Sequence, residues 1–169
     1  MIGSQVHGNK EAAQAIFAAG HELGNHSDSY SSLGNSTVEV ITASLDAASL
    51  AIKDITGTYP LFFRAPNLNH GRNLSMVCVE RGMAIIDGSG HNDWPGSSQE
   101  IKNSVLANPQ DGDIIILHEN NTSKGNTMAA LPGIIKGLRD KGFWILTVGQ
   151  LAAVKEKTFR AGMHYGPIH

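Results

Sequence analysis

The sequence has a single cysteine, Cys78. That excludes an intramolecular disulfide and any zinc cluster built from thiolates. Aromatic residues are scarce at 6%, and no apolar run approaches the roughly 20 residues of a membrane-spanning helix. Neither sign of charge dominates: 13 Lys and Arg stand against 15 Asp and Glu, a formal net charge of −2. The balance therefore gives no reason to expect nucleic acid or an anionic membrane as partner. The opening Met1–Val6 has neither the basic stretch nor the long apolar stretch of a signal peptide. With 41% hydrophobic and 17% charged residues, the chain has no disordered tail; its 169 residues fit a single domain, 1–169, with a sizeable core. What is plentiful is glycine, at 19, and histidine, at 8, so loops and imidazoles are where chemistry is to be sought.

Helical and extended patterns alternate along the chain. A helix is expected from about Asn9, a plausible N-cap, to Ala19, with Gly20 ending it. His21–His26 reads as a strand and residues 27–35 as a polar loop. The clearest helix begins at Ser36 or Thr37, with Glu39 placed as a capping-box carboxylate. Val38, Ile41, Leu45, Ala48, Ile52 and Ile55 then recur at helical spacing until Gly57 stops it. Leu61–Phe63 is a short buried strand, ended by Arg64-Ala65-Pro66-Asn67, which Pro66 makes non-helical. A helix over Asn73–Arg81, a strand over Ala84–Ile86 and a helix over Ser98–Leu106 follow. Asp113–Leu117 is an uninterrupted apolar run, the pattern of a strand buried on both faces. Met128–Lys141 is helical, Phe143–Leu146 extended and Val148–Lys157 the last helix. Such alternation implies crossover connections and a parallel sheet, with the site beyond the carboxyl ends of the strands. That rule gathers His26, Arg64 to Asn67, Asp93-Trp94 and His118.

Each of these has two readings. His26 and Tyr30 are four apart, so one helical turn would put an imidazole and a phenol on one face as metal ligands; otherwise they are a loop histidine and a surface tyrosine. His118 ends the most apolar strand, where an imidazole serves as general acid or base, or merely caps strand carbonyls. Asp93 could orient an imidazole, and Trp94 could wall a sugar or acyl pocket; the alternative is a turn aspartate beside a partly buried indole. Arg64 follows an apolar strand and needs a carboxylate partner or a substrate anion. Cys78 lies in an apolar helix and reads as core, while His164 and His169 lie in a Gly- and Pro-containing tail and read as solvated. There is no GxSxG elbow, and Gly3–Gly8 is not a phosphate-binding loop.

Taken in order, four segments resemble the motifs of NodB-type polysaccharide deacetylases, carbohydrate esterase family four. Gly20-His21-Glu22-Leu23-Gly24-Asn25-His26-Ser27 is similar to the second motif and Phe63-Arg64-Ala65-Pro66-Asn67 to the third. Asn92-Asp93-Trp94 is similar to the fourth, and Ile116-Leu117-His118 to the fifth. Tyr30 and Asn67 are closer to the clostridial acetylxylan esterases than to chitin or peptidoglycan deacetylases. The resemblance implies an α/β fold, a distorted (β/α) barrel, and hydrolysis of acetyl groups from a polysaccharide, most specifically xylan. It implies a divalent metal, zinc or cobalt, held by His26 with Tyr30 in the place of a second histidine. His118 would be the general acid, Asp93 would tune it and Arg64 would hold the catalytic base. Trp94, Leu117, Pro66 and Asn67 would line the substrate pocket. It also implies an extracellular protein.

One departure outweighs the rest. The family opens with a Thr-Phe-Asp-Asp motif, whose first aspartate is the base and second a metal ligand; this sequence has none. A barrel lacking its first strands is expected, with weak catalysis and self-association through open strand edges. Asp28 is the one acid near the second motif that could substitute. An N-acetyl sugar deacetylase and a non-catalytic carbohydrate-binding remnant are the competing readings.

Overall fold

The computed structural model describes residues 1–89, 93, 96–118 and 125–169. The chain divides into two compact units, Met1–Asp87 with Thr158–Tyr165 and Gly88–Lys157 with Gly166–His169.

The first unit begins with two short helices, α1 (Gly3–Gly8) and α2 (Lys10–Ala18). α1 was not anticipated. Asn9 joins the two, and its side chain donates to the Gln5 carbonyl at 2.9 Å instead of capping α2. The 19-residue α3 (Val38–Thr56) runs as its periodicity requires, capped by Thr37 and closed by Gly57 in the left-handed conformation, φ 78°. Glu39 does not complete a capping box there, because it stands one residue short of the position whose backbone N–H meets the Thr37 hydroxyl, which is Val40. Its carboxyl is held below the usual range by its own backbone N–H and by Thr37.

Three parallel strands follow the order β1 (Phe62–Phe63), β2 (Ala84–Ile86), β3 (His164–Tyr165). The helix α4 (Arg72–Glu80) crosses from β1 to β2. Between β1 and α4, Pro66–Leu68 makes one 3₁₀ turn that Asn67, φ 56°, and Leu68, φ 51°, break with left-handed backbone. The core of this unit joins Ile41 and Leu45 of α3, Phe63 of β1, Leu74, Val77 and Cys78 of α4, and Ile85 of β2. Cys78 is core as expected; burial pushes its thiol up to about 12, so it is no nucleophile. The tail reaches the sheet because Gly162, φ 74°, lies against α4: a Cβ there would sit 2.3 Å from Val79 Cγ2. The Gly162 N–H donates to the Met83 carbonyl at 2.8 Å.

The second unit packs α5 (Ser98–Ala107) on α6 (Asn126–Asp140) through Ile101, Val105, Ala130, Ile134 and Leu138. α7 (Val148–Val154) follows. Full capping boxes start α5, at Ser97 and Glu100, and α7, at Thr147 and Gln150. Two expected strands are corrected here. Asp113–Leu117 is half-buried, not buried on both faces, and forms no ladder among the described residues. Its described backbone bonds are local or run to Ser89: the Asp113 N–H donates to the Gln110 carbonyl at 3.2 Å, the Ser89 N–H to the Ile114 carbonyl at 2.8 Å, and the Ile114 N–H to Ser89 Oγ at 2.6 Å. Phe143–Leu146 forms no ladder either, and Trp144 is 88% exposed. No helix among the described residues is long and apolar enough to cross a membrane.

Candidate active site

His26 is positioned by its neighbour. Asn25 is buried, and its side-chain amide donates to the Leu45 carbonyl at 2.9 Å and to Ser49 Oγ at 2.8 Å, pinning the segment to α3. Its backbone bridges Phe63: the Asn25 N–H donates to the Phe62 carbonyl and the Arg64 N–H to the Asn25 carbonyl. Asn25 Oδ1 accepts from the Ser27 N–H at 2.8 Å, and Ser27, wholly buried, is held at φ 64°. A non-glycine residue in that region is stored strain, of the kind that gathers at functional sites. His26 is thereby buried with its Nδ1–H donating to the Arg64 carbonyl at 2.6 Å. Because Nδ1 carries the hydrogen, the lone pair of the neutral ring lies on Nε2, the arrangement of a metal-binding histidine.

Tyr30 meets His26 ring to ring, 5.4 Å between centroids in a T-shape. No helical turn brings them together; the chain from Asp28 to Tyr30 is a bend. Tyr30 remains 50% exposed. Asp28 is half-buried with its carboxylate against Gly3 at the start of α1, and its backbone is fixed by Ser4 and Ser44. Pro66 is buried and Asn67 exposed in the turn after Arg64.

In the second unit Asp93 is 1% exposed and accepts three hydrogen bonds from described residues. His118 gives it two: Nδ1–H to Oδ1 at 2.9 Å and the backbone N–H to Oδ2 at 2.5 Å. The Thr127 hydroxyl of α6 donates to Oδ2 at 3.1 Å. Burial pushes the Asp93 carboxyl up, but the His118 hydrogen bonds and charge, with Thr127, outweigh it and hold the group below its usual value. Asp93 is thus a fixed carboxylate that orients the His118 ring and leaves Nε2 to exchange a proton. Leu117 packs against the α5–α6 core. Trp94, with His91 and Asn92, lies outside the described residues.

Three residues not singled out as a group come together in the first unit: His70, Asp87 and His164. His164 is exposed, as a solvated residue should be, but it sits in β3 and hydrogen-bonds Asp87 at 3.0 Å. His169 is exposed as expected, with Nδ1–H on the Asp111 carbonyl at 2.9 Å. Burial lowers the His70 imidazole below its ordinary value, against Asp87, which raises it, and together with His164. These residues, like Thr127, carry no local signal, since they are brought together from distant parts of the chain.

The family model described as polysaccharide deacetylase matches residues 1–86. The bifunctional xylanase/deacetylase of Pseudobutyrivibrio xylanivorans is 35% identical over 161 residues, which span 92% of this chain and 26% of that protein. The chain thus spans about a quarter of that relative's length. A peptidoglycan-N-acetylglucosamine deacetylase of Bacillus cereus is 31% identical over 160 residues, 92% of this chain and 74% of that protein. Among solved structures, a family 4 acetyl xylan esterase from Clostridium thermocellum, in complex with a cobalt ion, matches with a TM-score of 0.91 and 28% identity. That match covers 99% of this chain and 82% of the esterase.

Proposed function

The chain belongs to the polysaccharide deacetylase family, and from that premise we propose that it releases acetate from acetylated xylan by metal-assisted hydrolysis. Its fold is the α/β fold of carbohydrate esterase family four, and the family acts on acetylated polysaccharides. The observation that carries the reading is the buried Asp93 aligned on His118. A divalent cation such as zinc or cobalt, when bound, would polarise the acetyl carbonyl and activate the attacking water. His26 fits it, because its Nδ1–H is committed to the Arg64 carbonyl and its lone pair lies on Nε2. Tyr30, half-exposed, contributes little.

The protein's own residues then handle protons and substrate. His118, protonated, gives the Nε2 proton to the leaving sugar oxygen while Asp93 stabilises the imidazolium through Nδ1. Pro66 and Asn67, in the turn after Arg64, would line the substrate on the His26 side. Arg64 would hold the base, and Asp28 is the acid closest along the chain to His26. An ester leaves with less protonation than an amide, and a single oriented acid, His118, suits an ester. The Bacillus cereus relative favours a second reading, an N-acetyl sugar as substrate. A polymer of either kind is met outside the cell.

The test is acetate release from acetylated xylan and from chitooligosaccharide, with and without added zinc or cobalt. Xylan should give the larger release. His118→Ala should lower kcat by about 10²–10⁴ without changing metal content. No acetate from either polymer in the metal-loaded protein would leave the non-catalytic remnant standing. Sedimentation of the same sample checks self-association, which the exposure of Trp144 and Ile145 supports.

A further inference from the structure

We propose that His70, Asp87 and His164 form a separate divalent-metal site of the zinc type, which clips the C-terminal strand β3 to the loop before α4 and the end of β2. This site shares no residue with His26, Tyr30 or the His118–Asp93 pair.

The donor set comes first. Two imidazole nitrogens and one carboxylate oxygen are the ligands zinc selects, and three protein ligands leave a fourth position for water. The ligand atoms of the three residues all lie within 4.8 Å of one another. His70 Nε2 is 3.1 Å from Asp87 Oδ1, and His164 Nδ1 is 3.0 Å from Asp87 Oδ2. Ligands around a tetrahedral ion with bonds of about 2.0–2.1 Å lie roughly 3.4 Å apart, so the cluster needs little movement to close. The two rings meet edge to face at 4.4 Å, which suits convergence on one point better than stacking.

The second observation is an unmet acceptor. Asp87 Oδ1 is buried and has no hydrogen-bond partner among the described residues. His70 Nε2 approaches it at contact distance, but without the alignment of an N–H donor. A buried carboxylate oxygen left without a hydrogen bond is costly. A cation between that oxygen and the His70 lone pair removes the cost.

The third is that the cluster is held in place by the fold. β2 carries Asp87 at its carboxyl end, and the Asp87 N–H donates to the Tyr165 carbonyl at 2.8 Å. β3 pairs Ile85 with His164. Gly162 lets the tail lie on α4, where Ser75 Oγ stands 3.5 Å from His164 Nε2. Binding therefore balances simply. The ion takes the lone pair of His164 Nδ1 in the tautomer whose hydrogen sits on Nε2 and faces Ser75 Oγ, so the neutral ring keeps its one hydrogen and no proton need leave.

The experiment uses the whole chain, stripped with chelator and titrated with Zn²⁺ against a chromophoric competitor. Parent, His26→Ala, His70→Ala and Asp87→Asn are compared, each checked for folding by circular dichroism. His26→Ala should retain one tight equivalent. His70→Ala and Asp87→Asn should weaken that equivalent by more than about 100-fold, beyond the usual effect of removing a residue that only orients a ligand. Co²⁺ loading of the parent gives an independent readout: its visible absorption should persist in His26→Ala and fall in His70→Ala, a loop change with little cost to the fold. Equal zinc binding by parent, His70→Ala and Asp87→Asn overturns the site, and so does a His26→Ala protein that folds and binds no zinc.

Discussion

The strand β2 of the first unit and the Asp113–Leu117 segment of the second are nearly equal in apolar content but not in surroundings. Ala84, Ile85 and Ile86 are buried, with β1 on one side and β3 on the other. Ile114–Leu117 is half-buried, and its backbone is met only by Ser89 among the described residues. An apolar run becomes a ladder only where both of its backbone edges find partners, because hydrogen bonds, not side chains, define the strand. Side-chain packing follows separately: Ile115 and Leu117 still pack on the α5–α6 core without a ladder.

The comparison is most easily broken in the core of the first unit. Phe63 of β1 is wholly buried among α3 and α4 residues. Phe63→Ala should cost about 3–5 kcal/mol, measured by denaturant unfolding. A loss no larger than that of a surface change would show the sheet-bearing unit to be the looser one. Asp93→Asn comes next. It removes the charge that accepts from His118 twice and from Thr127, at a cost of about 2–3 kcal/mol. The effect depends on pH. The folded carboxyl sits below its unfolded value, so its contribution is complete above the unfolded value and is lost as pH falls through the folded one. The gap between parent and Asp93→Asn should therefore narrow on acidification; a gap constant from pH 7 to 3 would remove the charge from the account.

Smaller effects sharpen the contrast between the two apolar runs. The Ala84 and Ile85 amides donate to the Leu61 and Met163 carbonyls, at 2.9 Å each. They should exchange with solvent more slowly by hydrogen-exchange mass spectrometry than the amides of Ile115–Leu117. Equal protection would mean that the second run is laddered in solution. Last, Trp144→Ala should change stability by no more than about 0.5 kcal/mol, since the indole is 88% exposed. A cost above 2 kcal/mol would show the indole buried in solution.

Much of the helical part was legible because its signals are local. α3 follows six apolar residues at helical spacing, with a hydroxyl before them and a glycine after. The capping pairs Ser97–Glu100 and Thr147–Gln150 stand three apart and could have been read the same way. α1 was not legible, because six residues, two of them glycine, carry too short a period. Of the site, the motif order pointed to His26 and to His118 with Asp93. It did not reveal that Asn25 anchors His26 through Leu45 and Ser49, nor that Thr127 supports Asp93 across 34 positions.

What the sequence determined alone is what depends on neighbours within a few residues: the helix ends, the buried thiol of Cys78 and the identity of the chemistry-bearing side chains. What only the tertiary structure decided is which apolar runs pair and which distant groups meet. Asp87 illustrates the difference. Its neighbours along the chain announce nothing, and its meaning comes from His70, 17 residues before it, and His164, 77 after it. The sheet register places the second of these beside it, and register is settled by backbone hydrogen bonds and burial over the whole unit, not by any local pattern.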